Sequence, residues 1–364
     1  MTKAFDVSKF RKDITKSITG ISTGFHDPDV WISTGNYCLN YLISGDFHKG
    51  VPMSKVTVFA GESGAGKSYI CSANIVRDAQ KQGIFVVLLD SENALDEAWL
   101  KALDVDTDPD KLLRINVSMI DDVAKTISMF MKEYKNMCDG IPREEQKKVL
   151  FVVDSLGMLL TPTDVNQFEA GDMKGDMGRK AKALTALVRN VVNMIAPYNV
   201  GFVATNHTYA SQDMFDPDDK ISGGSGFIYA SSIIVAMKKK KLKDKDLGGS
   251  TNEVRGIKAA CKVVKSRYSK PFESVDVYIP YDTGMDPYSG LFELFVKTGM
   301  LTKQGNRYKY VSRETGEEII QFKKAWETDY ESMDKIMSEF TSDDFELSED
   351  YKEQLRLEKE EGEA

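Results

Sequence analysis

The stretch Lys55-Val56-Thr57-Val58-Phe59-Ala60-Gly61-Glu62-Ser63-Gly64-Ala65-Gly66-Lys67-Ser68 decides how the rest of the chain is read. Residues 55–60 form an apolar, β-branched run, and the eight residues after it fit G-x-x-x-x-G-K-[ST]. At a background glycine frequency of ~7%, an accidental match is expected in roughly two chains of this length per hundred. Here a strand pattern precedes the motif and a helical pattern, residues 67–82, follows it. That context favours a phosphate loop over a glycine-rich turn that only caps a helix. Gly61, Glu62, Ser63, Gly64, Ala65 and Gly66 then form a cradle whose backbone N–H groups turn inward around the phosphates of ATP, aided by the helix N-terminus. Lys67 reaches the β- and γ-phosphate oxygens, and the Ser68 hydroxyl ligates Mg²⁺.

Outward from this motif, short β-branched runs alternate with amphipathic stretches. The runs at residues 84–90, 112–117, 149–154, 200–206 and 232–237 are largely continuous in apolar character, as strands covered on both faces are. Helical patterns fill residues 120–135 and 178–196. The alternation predicts an α/β fold with a mostly parallel central sheet. Residues 257–266 and 275–281 read as antiparallel additions at its edge. Between them and the last parallel strand, residues 238–246, with Lys238, Lys239, Lys240 and Lys241, read as a charged, solvated turn.

Three further side chains fall at strand ends, where ligands of open α/β sheets bind. The run Val149-Leu150-Phe151-Val152-Val153-Asp154 ends in an acid placed to hold the Mg²⁺ shell, so Asp154 joins Ser68 as a metal candidate. Leu88-Leu89-Asp90-Ser91-Glu92 ends another strand, and Glu92 either positions the attacking water or caps a helix at residues 94–103. Thr205-Asn206-His207 ends a third, where the imidazole either senses the γ-phosphate or packs as a surface residue.

Composition bounds the rest. The 364 residues carry 48 Lys+Arg and 56 Asp+Glu, a net charge of −8 that argues against a protein coating duplex DNA by charge alone. Residues 343–364 hold ten acids and three bases, −7 in all, so the other residues net only −1. The acidity belongs to an appendage, read as a disordered tail or a solvated helix. Cys38, Cys71, Cys138 and Cys261 lack close spacing, which fits reduced thiols in a cytoplasm. An apolar leader or a membrane-length run is not expected. The predicted organisation is an N-terminal protomer-contact segment (residues 1–30), a core (31–286), a small α/β domain (287–341) and the acidic tail (342–364). In the first segment, Phe5, Val7 and Phe10 pack on a neighbour or on their own core.

Taken together, these pieces resemble the RecA-type recombinases, most closely the UvsX recombinases of T-even-like bacteriophages. The resemblance is carried by Ile32-Ser33-Thr34-Gly35, the phosphate loop, Asp90-Ser91-Glu92-Asn93-Ala94-Leu95-Asp96, Val153-Asp154-Ser155-Leu156 and Asn206-His207-Thr208-Tyr209. Val264-Lys265-Ser266-Arg267 and Gly284-Met285-Asp286-Pro287-Tyr288-Ser289-Gly290 extend it. It implies a RecA-like P-loop ATPase core, with Glu92 as the catalytic carboxylate and His207 as the γ-phosphate sensor. It also implies a helical filament with ATP at each protomer interface, where Lys265 and Arg267 act on the neighbour's ATP. Read without the family, those two are charges on a strand's solvent face.

Two loops are the DNA candidates. The first, residues 161–178 with Met173, Lys174 and Met177, feeds a helix bearing Arg179, Lys180, Lys182 and Arg189. The second, residues 209–226, contains Tyr209, Met214 and Phe215, then Gly223-Gly224-Ser225-Gly226 ahead of Phe227. Basic residues supply counterion release, glycines close approach to phosphates, and aromatic or Met side chains stacking. The acids of the second loop oppose this, and composition alone favours a solvated loop. The resemblance selects Lys182, Arg189, Gly223, Gly224 and Ser225 as contacts. It implies an ATP-dependent recombinase acting on single-stranded and homologous duplex DNA in the cytoplasm of a phage's bacterial host, with mediator and single-strand-binding partners. The alternatives are a hexameric helicase-type motor on the same core, or a mediator that binds ATP for assembly only.

Overall fold

The computed structural model describes residues 6–17, 27–171, 177–209, 219–270 and 273–341. Its central sheet contains β1 (Val56–Gly61), β2 (Phe85–Asp90), β3 (Leu112–Asn116), β4 (Val149–Asp154), β5 (Val200–Tyr209), β6 (Ile233–Lys243), β7 (Val254–Lys265) and β8 (Ser274–Pro280). In space the order is β8-β7-β6-β1-β5-β4-β2-β3. The six strands from β6 to β3 are mutually parallel, and β7 and β8 are antiparallel additions, as the sequence predicts.

Every residue of β1 and β4 is buried, because helices cover both faces. The pleat sorts the side chains: Val56, Val58 and Ala60 join one apolar cluster with the helices Ile120–Cys138 and Met177–Ile195. Phe59 joins the other, with Ile70, Ala73 and the C-terminal elements. This period-2 division fixes the strand register, since a one-residue slip would exchange the two faces. The helix after the phosphate loop opens with a wide π-type stretch, Tyr69–Ile75, before the α-helix Val76–Lys81.

Of the expected turn at residues 238–246, only the last residues turn. β6 continues through the lysines to Lys243, with Lys238 opposite Ala260 and Lys240 opposite Lys258 on β7, and the turn is made by Asp244–Leu247. A strand that projects past its covering helices is as solvated as a turn, so composition could not tell them apart. Here the ladder satisfies the backbone, while the Lys238 and Lys240 ammonium groups meet Asp219 and Asp276.

Beyond the sheet, the helix Leu291–Thr298, a three-stranded antiparallel sheet (Thr302–Gln304, Arg307–Val311, Glu318–Gln321) and the helix Tyr330–Glu339 use Phe295, Tyr310 and Ile336 to pack onto the cluster that contains Phe59. The N-terminal helix Val7–Ser17 leaves Val7 and Phe10 about half exposed, at 51% and 48%. Among the described residues no helix is long and apolar enough to cross a membrane.

Candidate functional site

β1, β5, β4 and β2 are parallel neighbours, so their C-terminal ends share one edge of the sheet. β1 runs out at Gly61 into the phosphate loop. Gly64 and Gly66 have φ of +74° and +91°, a conformation that favours glycine. A Cβ on Gly66 would stand 2.9 Å from Ile279 Cδ1 and one on Gly61 2.3 Å from the Met237 carbonyl oxygen, so the loop lies tightly against β6 and β8. The Glu62 carboxylate accepts the Lys239 backbone N–H at 2.8 Å, which turns that residue toward β6 and makes it a tether for the loop.

Lys67 folds back over the loop, donating to the Gly61 and Glu62 carbonyl oxygens at 2.9 and 2.7 Å. Burial pushes its pKa down, while Asp154 and Glu92 pull it up. Phosphate oxygens would replace those two neutral acceptors with charged ones, which suits a buried ammonium far better. Asp154 receives the Ser72 hydroxyl at 2.8 Å on Oδ2 and the Thr205 hydroxyl on Oδ1, and the peptide that follows it is cis. Ser68 enters the helix without a capping bond from its hydroxyl. A serine hydroxyl and a buried carboxylate beside a nest of loop N–H groups are the oxygen donors that Mg²⁺ with a nucleotide requires, so the residues fit that group.

Asp90, which sequence reading passed over, organises the next loop. Completely buried, its carboxylate accepts the Glu92 and Leu95 backbone N–H groups at 3.1 and 3.3 Å and the Arg114 guanidinium at 2.7 Å. Glu92 is not a helix cap. The helix begins at Glu97 and is capped by Asp96, which accepts from Ala98 and Trp99, because an Asp directly before the first turn is better placed.

Freed from that task, Glu92 meets two partners. The Ser155 hydroxyl donates to its Oε1 at 2.7 Å, and His207 Nε2 stands 3.3 Å from the same oxygen and 3.2 Å from Ser155 Oγ. A bare Nε2 lone pair would oppose the carboxylate, so this nitrogen carries the proton. Ser155 is itself fixed by Ser91, whose hydroxyl donates to the Ser155 carbonyl oxygen at 2.6 Å and accepts the Ser155 N–H at 2.9 Å. A serine directly after an acid at a strand end carries no signature of its own, which is why sequence reasoning missed it.

His207 connects this cluster to the loops. The Ser222 N–H bonds the His207 carbonyl oxygen at 3.0 Å, and Asn206 Nδ2 bonds the Ser222 carbonyl oxygen at 2.7 Å. Ser222 leads directly into Gly223 and Gly224, with φ of +107° and +72°, and the helix Gly224–Ala230. Gly223 packs on Phe227, which is fully buried and so unavailable for stacking on bases. Ser225 is exposed.

The basic residues divide. Lys182 and Arg189 are exposed and two helical turns apart, hence on one face of Met177–Ile195. Lys180 instead turns inward, donating to the Gly157 carbonyl oxygen at 2.6 Å, and burial lowers its pKa. It is not part of a phosphate-facing row. Lys265 and Arg267 lie at the other end of the sheet from the phosphate loop, since Lys265 pairs with Ile234 at the start of β6 whereas Gly61 pairs with Met237 further along it. Lys265 is not on a solvent face: it donates to the carbonyl oxygens of Ile228, Tyr229 and Ser231 at 2.9, 2.8 and 2.6 Å. Arg267 is exposed. Met173, Lys174, Met214, Phe215 and the acidic tail lie outside the described residues.

Fold and site together define a P-loop nucleotide-binding protein with a parallel sheet and an antiparallel edge. A family profile for the RecA N-terminal domain matches residues 16–286, and the chain belongs to the RecA family. It is 29% identical over 327 residues to the recombination and repair protein of Enterobacteria phage T4, covering 88% of this chain and 78% of that one. It is 27% identical over 271 residues to protein RecA of Treponema denticola (74% and 60% covered), and 25% identical over 288 residues to protein RecA of Aquifex aeolicus (79% and 77%). The resemblance to RecA-type recombinases and their phage branch is thereby borne out.

Proposed function

We propose that this chain is an ATP-hydrolysing DNA recombinase that polymerises as a helical filament on single-stranded DNA and pairs it with homologous duplex, in the cytoplasm of a phage-infected bacterium. The observation that carries the reading is the cluster Glu92–Ser155–His207, which sits beside Lys67 and Asp154 and is bonded to Ser222 at the foot of the second DNA-loop candidate.

The roles follow from position. Gly61 through Gly66 and Lys67 bind the phosphates, and Ser68 and Asp154 hold Mg²⁺, which when bound screens the phosphate charge. Glu92, held by Ser155 and His207, orients the water for in-line attack and takes its proton. His207 senses the γ-phosphate side and passes the state of the site to Ser222. Lys182, Arg189, Gly223, Gly224 and Ser225 hold the DNA backbone without reading sequence. Lys265 and Arg267, remote from their own phosphate loop, act on a neighbour's site in a filament. The segment boundaries at residues 30, 286 and 341, the tail as regulator, and mediator and single-strand-binding partners belong to the same reading.

A titration of ATP turnover with single-stranded DNA, run beside electron microscopy of the same samples, tests it. Turnover that rises with DNA, together with striated filaments, supports the recombinase. A rate indifferent to DNA, or closed rings in place of filaments, refutes it.

A further inference from the structure

We propose that Lys180 is a positioning residue that couples the loop-one helix to the hydrolytic cluster through Gly157; this rests on the recombinase reading above. Gly157 lies in the short turn Leu156–Met158, two residues beyond Ser155. Its two sides serve two partners. On one, the His207 ring lies against the backbone so closely that a Cβ on Gly157 would stand 2.2 Å from His207 Cδ2. On the other, its carbonyl oxygen accepts the Lys180 ammonium at 2.6 Å.

Lys180 belongs to the first turn of Met177–Ile195, the helix that exposes Lys182 and Arg189. A force on that helix from a bound phosphate backbone therefore reaches Gly157 through one charge-assisted hydrogen bond, and from Gly157 reaches the imidazole by direct contact. The imidazole is in turn 3.2 Å from Ser155 Oγ and 3.3 Å from Glu92 Oε1. This route is separate from the one through Ser222, and together they give each DNA loop its own connection to His207. The same helix also abuts the second loop, where Thr185 Oγ1 lies 3.5 Å from the Gly223 carbonyl oxygen.

The test compares full-length wild type with Lys180→Met, which keeps the alkyl stem and removes the donor. Two quantities are read: the ratio of ATP turnover with poly(dT) to turnover without it, and the salt dependence of poly(dT) binding. In Lys180→Met the ratio falls at least about fivefold, the low end of coupling between sites. The salt slope stays at the wild-type value, because no phosphate contact is lost, whereas Lys182→Met reduces it by about 0.7. Lys180→Arg, which retains a charged donor, regains more than half of the lost ratio.

A ratio for Lys180→Met within about twofold of wild type overturns the proposal, as does a slope reduced like that of Lys182→Met. Failure of the arginine variant to restore the ratio also overturns it, assigning the residue to packing. If Lys180→Met does not melt cooperatively, Lys180→Leu, which also lacks the donor, is held to the same ratio criterion. Wild type that is itself unstimulated by poly(dT) refutes the recombinase reading as a whole; a stimulated wild type with an equally stimulated variant refutes this proposal alone.

Discussion

Replacing Ser155 by alanine removes a single oxygen from the centre of the cluster, and the structure sets the size of the effect. The lost bond is short, 2.7 Å, and its acceptor is the Glu92 carboxylate, so its worth is that of a hydrogen bond to a charged group, about 1.5–3 kcal/mol. Glu92 keeps His207 at 3.3 Å, and its side chain is 37% exposed, so water replaces part of what is lost. The lower figure applies, which corresponds to about tenfold in rate. Ser91 still clamps the Ser155 backbone from both sides, so the loop keeps its path. The loss therefore falls on kcat of DNA-stimulated ATP hydrolysis, while KM for ATP and binding of a fluorescent nucleotide stay within about twofold. Steady-state phosphate release with saturating single-stranded DNA measures it. An unchanged kcat, or a defect confined to KM, would falsify the argument that Ser155 orients the carboxylate.

Other consequences concern the same end of the sheet and one half-buried acid outside the cluster. Lys67→Ala abolishes nucleotide binding or turnover, and Glu92→Gln leaves binding intact and stops hydrolysis; a Glu92→Gln enzyme with normal phosphate release would sink that assignment. Asp286 has its pKa raised, chiefly by burial, with the Tyr288 and Ser289 N–H groups opposing. A carboxyl raised in the folded state stabilises the fold below its unfolded pKa, and that contribution is lost as pH rises through the folded value. Asp286→Asn therefore raises the melting temperature at neutral pH by about 1–3 °C, and the gap closes as pH falls through the carboxylate range. Melting curves at pH 4 and 7 with equal gaps would contradict this.

How much of this was visible in the residues themselves depends on the kind of signal. The strands of the parallel sheet announced themselves because burial on both faces forces continuous apolar runs, and Val149–Asp154 falls where its pattern ends. The phosphate loop was legible because close backbone approach leaves few alternatives to glycine. Lys238 through Lys243 misled because charge reports exposure, and exposure does not distinguish a projecting strand from a turn. Asp90, Ser155 and Gly157 were illegible for a different reason. Each acts through a neighbour that is distant in sequence, as Asp90 with Arg114, 24 residues away, and Ser155 with Glu92 and His207, 63 and 52 residues away. Lys180 and Lys182 look alike in sequence, and only the fold turns one inward and leaves the other in solvent.

Lys265 has three N–H donors and uses all three on the last carbonyls of Gly224–Ala230 and its cap. It has none left to lend. To touch a neighbour's γ-phosphate, as its proposed role requires, the ammonium must abandon the helix end, and the two engagements exclude one another. If Lys265 takes that proposed role, a lone protomer keeps its loop-two helix closed off by its own lysine, and polymerisation would unlock it, one helix per interface formed. Amide exchange in residues 224–231 reads this directly: it should quicken in the ATP filament relative to the monomer, and uniform protection in both would mean that the lysine never lets go.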